Sequence, residues 1–339
     1  MSERAVPSTD GPLELTRALA LDDETLVVAG SPQRDDPNAP FTRLLTFHRG
    51  EWSVHDLDFA VTAFTGTDLQ SFAALGRTAR LWTGTDGVSP IPGPEGERGF
   101  TLAMCEVSDT RYVCGSLARV DRQREGAWAA VETDATIPDR TGTIDDIEAM
   151  FANPASLSDP AAIARITRQV GETASPTFNA VAARDVSDLY VCGGAGGFRR
   201  LILHGDGATF RTVLDEDGDH VAMLTNILVD DDVWVCGQRG QLLRGNAGDG
   251  FAEDPAAEGV RDLLHAMTMH DGRLHIAGAE TLWRHDGRSL IPFDPPVARR
   301  DRGTHAVQSA GEALWVVGTA DILRARGGQW ERIAFPGET

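Results

Sequence analysis

A short β-type run ending in glycine recurs along this chain, and that recurrence constrains the fold more than any other feature. It reads Leu26-Val-Val-Ala-Gly30, Phe72-Ala-Ala-Leu-Gly76, Arg111-Tyr-Val-Cys-Gly115 and Leu189-Tyr-Val-Cys-Gly193. It returns as Val233-Trp-Val-Cys-Gly237, Leu274-His-Ile-Ala-Gly278 and Leu314-Trp-Val-Val-Gly318. Successive glycines stand 46, 39, 78, 44, 41 and 40 residues apart, which gives seven units and one interval lengthened by an insertion.

The last unit shows the internal plan. Thr304-His-Ala-Val-Gln308, Ala313-Leu-Trp-Val-Val317, Asp321-Ile-Leu-Arg-Ala325 and Gln329-Trp-Glu-Arg-Ile-Ala334 alternate apolar and polar residues between Gly and Asp turns, as short antiparallel strands do. Seven such four-stranded units predict an all-β, seven-bladed propeller in a single domain. The expected blades span about 13–58, 59–97, 98–133, 178–216, 217–258, 259–297 and 302–336, with an insertion over 134–177. An irregular β-sandwich gives no reason for seven matched anchors. Blade seven owns its fourth strand, so the ring is expected to close in phase.

The repeat absorbs most residues that could otherwise suggest chemistry. Cys114, Cys192 and Cys236 share the column before the anchor glycine with Ala29, Leu75, Ala277 and Val317, so they read as small buried apolar residues. Only Cys105 lies elsewhere, on an innermost strand. Tyr112, Tyr190, Trp234, His275 and Trp315 form a column of flat rings three residues before the glycine, suited to packing between blades. Trp82 and Trp283 fall on third strands, and Trp52, Trp128 and Trp330 open fourth strands. Few aromatic platforms remain for sugars or bases.

The Trp-Val-Cys-Gly-like strand, Gly turn and Trp-led strand resemble the propellers of photosystem II assembly factors. Asp206-Gly-Ala-Thr-Phe210 and Gly327-Gly-Gln-Trp330 are similar to the Asp-box of sialidase-type propellers. What the assembly-factor resemblance implies is a fold and a non-enzymatic, protein-binding tendency. Sialidase chemistry needs a tyrosine nucleophile at the axial mouth, and both tyrosines here lie off that axis.

Other chemistry is thinly represented. All 31 basic residues are Arg, so lysine-dependent catalysis and the phosphate-loop lysine are excluded. No Gly-x-Ser-x-Gly elbow or His-Glu-x-x-His helix occurs. Asp215-Glu-Asp-Gly-Asp-His220 has the charge for calcium but not the spacing of an EF-hand loop, and reads as a solvated turn. The net charge of −20 opposes phosphate backbones and anionic membranes. No secretory signal or membrane span is visible, and a cytoplasmic location is expected. Arginine without lysine suggests a GC-rich, bacterial source.

Two features remain. Aligning the innermost strands on Arg17, Thr62, Leu102, Asn179, Asn226, His265 and His305 places six polar residues in seven slots, ringing one channel mouth. A wet mouth explains them as well as a recognition ring does. A metal on His265 and His305 lacks a carboxylate in the column. The insertion reads as two helices on the same face. Ile144, Ile147 and Phe151 follow a Thr141 or Thr143 cap, and Ile163, Ile166 and Val170 precede Gly171. It is either a decorative hairpin or a docking element.

The sequence therefore predicts a non-catalytic scaffold, of assembly or immunity type, that binds a protein or peptide partner of basic character without cofactor or metal. Arg17, Thr62, Asn179, Asn226, His265 and His305 would recognise the partner, with Ile144, Ile147, Phe151, Ile163 and Ile166 docking it. The alternative is a small-molecule or glycan-processing enzyme built on the same polar residues around the channel.

Overall fold

A computed structural model describes residues 12–32, 41–92, 99–135, 174–196, 199–217, 223–300 and 303–338. Seven sheets, each built on four consecutive antiparallel strands, make the chain a seven-bladed β-propeller. Blade one comprises β1 (Leu13–Asp22), β2 (Thr25–Pro32), β3 (Thr42–His48) and β4 (Glu51–Leu57). The last blade comprises Thr304–Ala310, Ala313–Gly318, Ile322–Arg326 and Gln329–Arg332, so it closes with its own fourth strand.

Two compact units divide the chain. One holds Met1–Pro90 and His265–Thr339, with blades one, two, six and seven; the other holds Ile91–Leu264, with blades three to five. Within each unit the apolar clusters lie between neighbouring sheets. Leu15, Leu26 and Phe47 of blade one pack with Trp315, Val317 and Ile322 of blade seven. In the other unit, Tyr112 and Cys114 of blade three pack with Phe178 and Val191 of blade four. The aromatic column thus fills the space between blades: Tyr112, Tyr190, Trp234, His275 and Trp315 are all buried.

The second strand of each blade is an almost continuous apolar run because both of its faces are covered. Ala73–Gly76, Val233–Gly237 and Ala313–Gly318 are buried at every residue. Outermost strands such as Glu51–Leu57 and Ala127–Ala130 are largely exposed. The cysteine column obeys the same rule. Cys114, Cys192 and Cys236 are buried, and desolvation raises all three thiols, Cys236 to about 12. Cys105 is half-buried, yet burial together with the Glu106 charge pushes it to about 12 as well.

The anchor glycine is required by a backbone contact. A Cβ at Gly115 would stand 1.9 Å from the Phe100 carbonyl oxygen, and one at Gly193 would stand 1.9 Å from that of Thr177. At Gly237 and Gly318 the obstructing carbonyls are Met223 and Gly303, at 2.6 and 2.7 Å. Each carbonyl belongs to the residue leading into its blade's innermost strand. The chain therefore enters every such blade pressed against the end of the second strand.

One feature departs from the sequence reading. Glu132–Thr133 pairs in parallel with Thr209–Phe210 as a fifth strand on blade four. Asp134 then accepts from the Thr212 amide and hydroxyl, fastening the segment there. The predicted helical insertion, with Ile144, Ile147, Phe151, Ile163 and Ile166, lies outside the described residues. Those residues contain no α-helix, only 3-10 turns at Gln238–Gly240 and Pro255–Ala257.

The glycine contact separates two substitutions of the same chemistry. Gly193→Ala forces a methyl into a backbone carbonyl and should destabilise by about 3 kcal/mol or more. At Gly30 the nearest atom to an added Cβ is the Leu13 side chain at 3.5 Å, so Gly30→Ala should stay within about 1 kcal/mol of wild type. Denaturant titration of both variants distinguishes the contact from a general intolerance of the column.

Candidate functional site

The polar column occupies a β-bulge. Beside the anchor glycine, six innermost strands skip one residue in their pairing to the second strand: Thr16, Thr62, Leu102, Asn179, Thr225 and His305. A bulge leaves one residue outside the ladder and turns its side chain along the strand end. Arg17 and Asn226 do not stand in this column. They are the next residues on, paired with Ala29 and Cys236. The sequence alignment slipped by one in blades one and five, where Thr16 and Thr225 are the equivalents.

The bulge side chains satisfy backbone carbonyls. In the unit containing blade one, Thr16 Oγ1 donates to the Ala29 carbonyl at 3.3 Å and Thr62 Oγ1 to that of Leu75 at 3.2 Å. Both acceptors immediately precede an anchor glycine. Arg17 reaches the next blade, its Nε donating to the Thr62 carbonyl at 2.8 Å while Nη1 donates to Thr16 at 2.7 Å. His265 Nε2 donates to the Thr304 carbonyl at 2.6 Å, joining blade six to blade seven. His305 Nε2 lies 3.3 Å from the Thr319 hydroxyl.

The other unit repeats the device. Asn179 Nδ2 donates to the Leu224 carbonyl at 2.7 Å, from blade four to blade five. The Thr225 hydroxyl lies against two carbonyls, Cys236 at 3.2 Å and Leu264. Each contact engages a polar backbone group at an irregular strand start, where an unmade hydrogen bond would be costly. Among the described residues, no group of three His, Cys, Asp or Glu is placed to hold a metal ion.

A second concavity lies at the hairpin ends of blades six and seven, inside one unit. It measures about 670 Å³ and is lined by residues that include Arg273, His275, Arg284, Phe293, Glu312 and Trp330. Phe293 and Trp330 stack at 5.6 Å, the His275 ring meets Phe293 edge-on at 5.9 Å, and the Arg284 guanidinium lies 5.6 Å over Phe293. Burial, reinforced by the neighbouring His270, Arg284 and Arg273, pushes the His275 imidazole down to about 4, although its bond to the Arg273 carbonyl opposes this. It is uncharged at neutral pH. The sequence reading placed His275 in a packing column, and the structure also makes it a wall of this cleft.

No protein-family model matches the chain. Immune protein Tsi7 of Pseudomonas aeruginosa is 25% identical over 241 residues, covering 70% of this chain and 65% of that protein. The chain thus matches slightly less than two thirds of that relative's length. Among solved structures, YCF48 bound to D1 peptide is similar with a TM-score of 0.61 and 10% identity, over 93% of this chain and 92% of that one. The WD40 β-propeller domain of Doa1 gives 0.57 and 11%, over 92% of each. The extracellular domain of a putative hybrid two-component system from B. thetaiotaomicron gives 0.60 and 11%, over 93% of this chain and 38% of that one. At these identities the structural likenesses establish the propeller fold. They agree with the resemblance to assembly-factor propellers read from the repeat.

The bulge contacts are testable by removing one hydroxyl. Thr225→Val keeps the shape and deletes the donor facing the Cys236 and Leu264 carbonyls, and should cost about 1–2 kcal/mol. Thr225→Ser should recover most of it. Equal stability of the Val variant in urea titration would show that water satisfies these carbonyls.

Proposed function

We propose that this chain is a non-catalytic, cytoplasmic scaffold of the immunity type that binds a protein partner, one with a basic surface. The observation that carries the reading is the likeness to a protein named as an immune protein, spread over 241 residues rather than confined to one turn motif. YCF48, a propeller of similar fold, has been solved bound to D1 peptide, which supports a peptide- or protein-binding role. The net charge of −20 supports a basic partner, because complementary charge raises the encounter rate and suppresses wrong associations.

The proposed docking ends are the starts of the innermost strands, marked by Arg17, Thr62, His265 and His305 in one unit and by Asn179 and Asn226 in the other. Arg17 is exposed although it reaches the neighbouring blade. Its guanidinium can add a carboxylate or carbonyl to the bonds it already makes. The insertion over 134–177 would add apolar contact through Ile144, Ile147, Phe151, Ile163 and Ile166.

The test is recovery of the partner from the source cell on the immobilised full chain, followed by titration of the purified partner back onto the chain. A saturable complex of fixed stoichiometry is expected, its affinity falling at least about tenfold when salt rises from about 0.05 M to about 0.5 M. No protein complex, together with turnover of a small molecule by the purified chain, would favour the enzyme reading instead.

A further inference from the structure

The repeat itself provides the control for the cleft between blades six and seven. In five blades the aromatic position of the second strand stands directly across from a cation or imidazole on the third. The pairs are Tyr112–Arg122, Tyr190–His204, Trp234–Arg244, His275–Arg284 and Trp315–Arg324. Four of these third-strand groups have a partner. Arg122 donates to the Gly207 carbonyl, His204 meets Asp188 at 3.1 Å, and Arg244 pairs with Asp232. Arg324 pairs with Glu24 at 2.8 Å and with Glu331 at 2.7 Å.

Arg284 differs from them. Its Nε is buried without a hydrogen-bond partner, and it forms no ion pair among the described residues. The cause is legible in the repeat. The carboxylates that engage His204 and Arg244 stand two residues before the aromatic position, Asp188 before Tyr190 and Asp232 before Trp234. Blade six carries Arg273 there, two residues before His275. Alternate residues of a strand share a face, so Arg273, His275 and, across the ladder, Arg284 look the same way into the cleft. Where blades four and five put a counter-charge, and blades three and seven the neutral Thr110 and Ala313, this blade puts a second cation.

Two guanidiniums on one wall, an uncharged imidazole between them and an aromatic floor of Phe293 and Trp330 form a matched set. Asp271 and Glu312 also line the cleft. The Asp271 side chain is 88% exposed, so solvent screens its charge. We infer that the cleft between blades six and seven binds a carboxylate carried on an aromatic or apolar body. The carboxylate takes the place of the missing acidic residue against Arg284 and Arg273, and the body lies on Phe293 and Trp330. A guanidinium offers paired donors that match a carboxylate's two oxygens. The site is independent of the partner-docking ends proposed above.

The same group can come from a free metabolite or from the C-terminus of a peptide. Calorimetric titration of the full chain with phenylacetate, phenylacetamide, and acetyl-Gly-Gly-Phe as free acid and as amide separates them. Both acids are expected to saturate one site, with each amide at least about tenfold weaker. Tighter binding of the peptide acid assigns the site to a chain terminus, and tighter binding of phenylacetate assigns it to a small molecule. Arg284→Gln should weaken binding at least about tenfold. Arg273→Asp supplies the carboxylate that blades four and five carry and should abolish binding while leaving the thermal midpoint unchanged or higher. Absence of saturable binding by either acid, equal binding of acids and amides, or undiminished binding by Arg273→Asp would each overturn the inference.

Discussion

In blades three, four, five and seven the start of the innermost strand is positioned by the close passage of one backbone over another at the anchor glycine. The chain entering an innermost strand sets a carbonyl where the glycine's side chain would be, as Phe100 does at Gly115 and Thr177 at Gly193. The next residue but one cannot keep ladder register after so tight an entry, and the strand bulges. The bulge exposes carbonyls that polar side chains then satisfy, within the blade from Thr62 and across blades from Asn179 and His265. The same bulge occurs at Thr16 and Thr62, where Gly30 and Gly76 meet the Leu13 and Phe59 side chains instead, so the bulge accompanies every close strand entry whether backbone or side chain fills the space at the glycine.

Much of this was legible in the residues. Glycine spacing and alternation located the blades, because a glycine in an apolar strand has a strict steric reason that sequence preserves. The cysteine and aromatic columns were assigned to packing because Cys114 exchanges with Ala29 and Leu75 at the same place, and burial follows that exchange. Register at the strand starts was not legible. Aligning on the Ala that follows Arg17 ignored the buried residue before the bulge, Leu15, whose equivalents are Val61, Phe178 and Leu224. A slip of one residue changes the face on which a side chain stands. The fifth strand at Glu132–Thr133 was likewise hidden, since two residues carry no periodic pattern.

The repeat also separates structural polar groups from those left over. Arg122, Arg244 and Arg324 each have a partner that the blades supply, so their charge is part of the packing. Arg284 occupies the equivalent position and forms no ion pair among the described residues; where blades four and five carry Asp188 and Asp232, its blade carries Arg273. Its difference rests on a comparison inside one molecule, where fold and neighbouring strand order are held constant. Most members of the polar column at the strand starts are structural in the same sense, because their donors are directed to carbonyls.

The second strands, covered on both faces, should form the most stable layer of every blade. Hydrogen exchange followed by mass spectrometry measures this directly. Amides of Thr25–Pro32, Ala73–Gly76, Val233–Gly237 and Ala313–Gly318 should exchange slowest and at similar rates, opening only with large-scale unfolding. Those of the outer strands Glu51–Leu57 and Ala127–Ala130 should exchange at least about a hundredfold faster. Second strands that exchange as fast as the outer ones would contradict the claim.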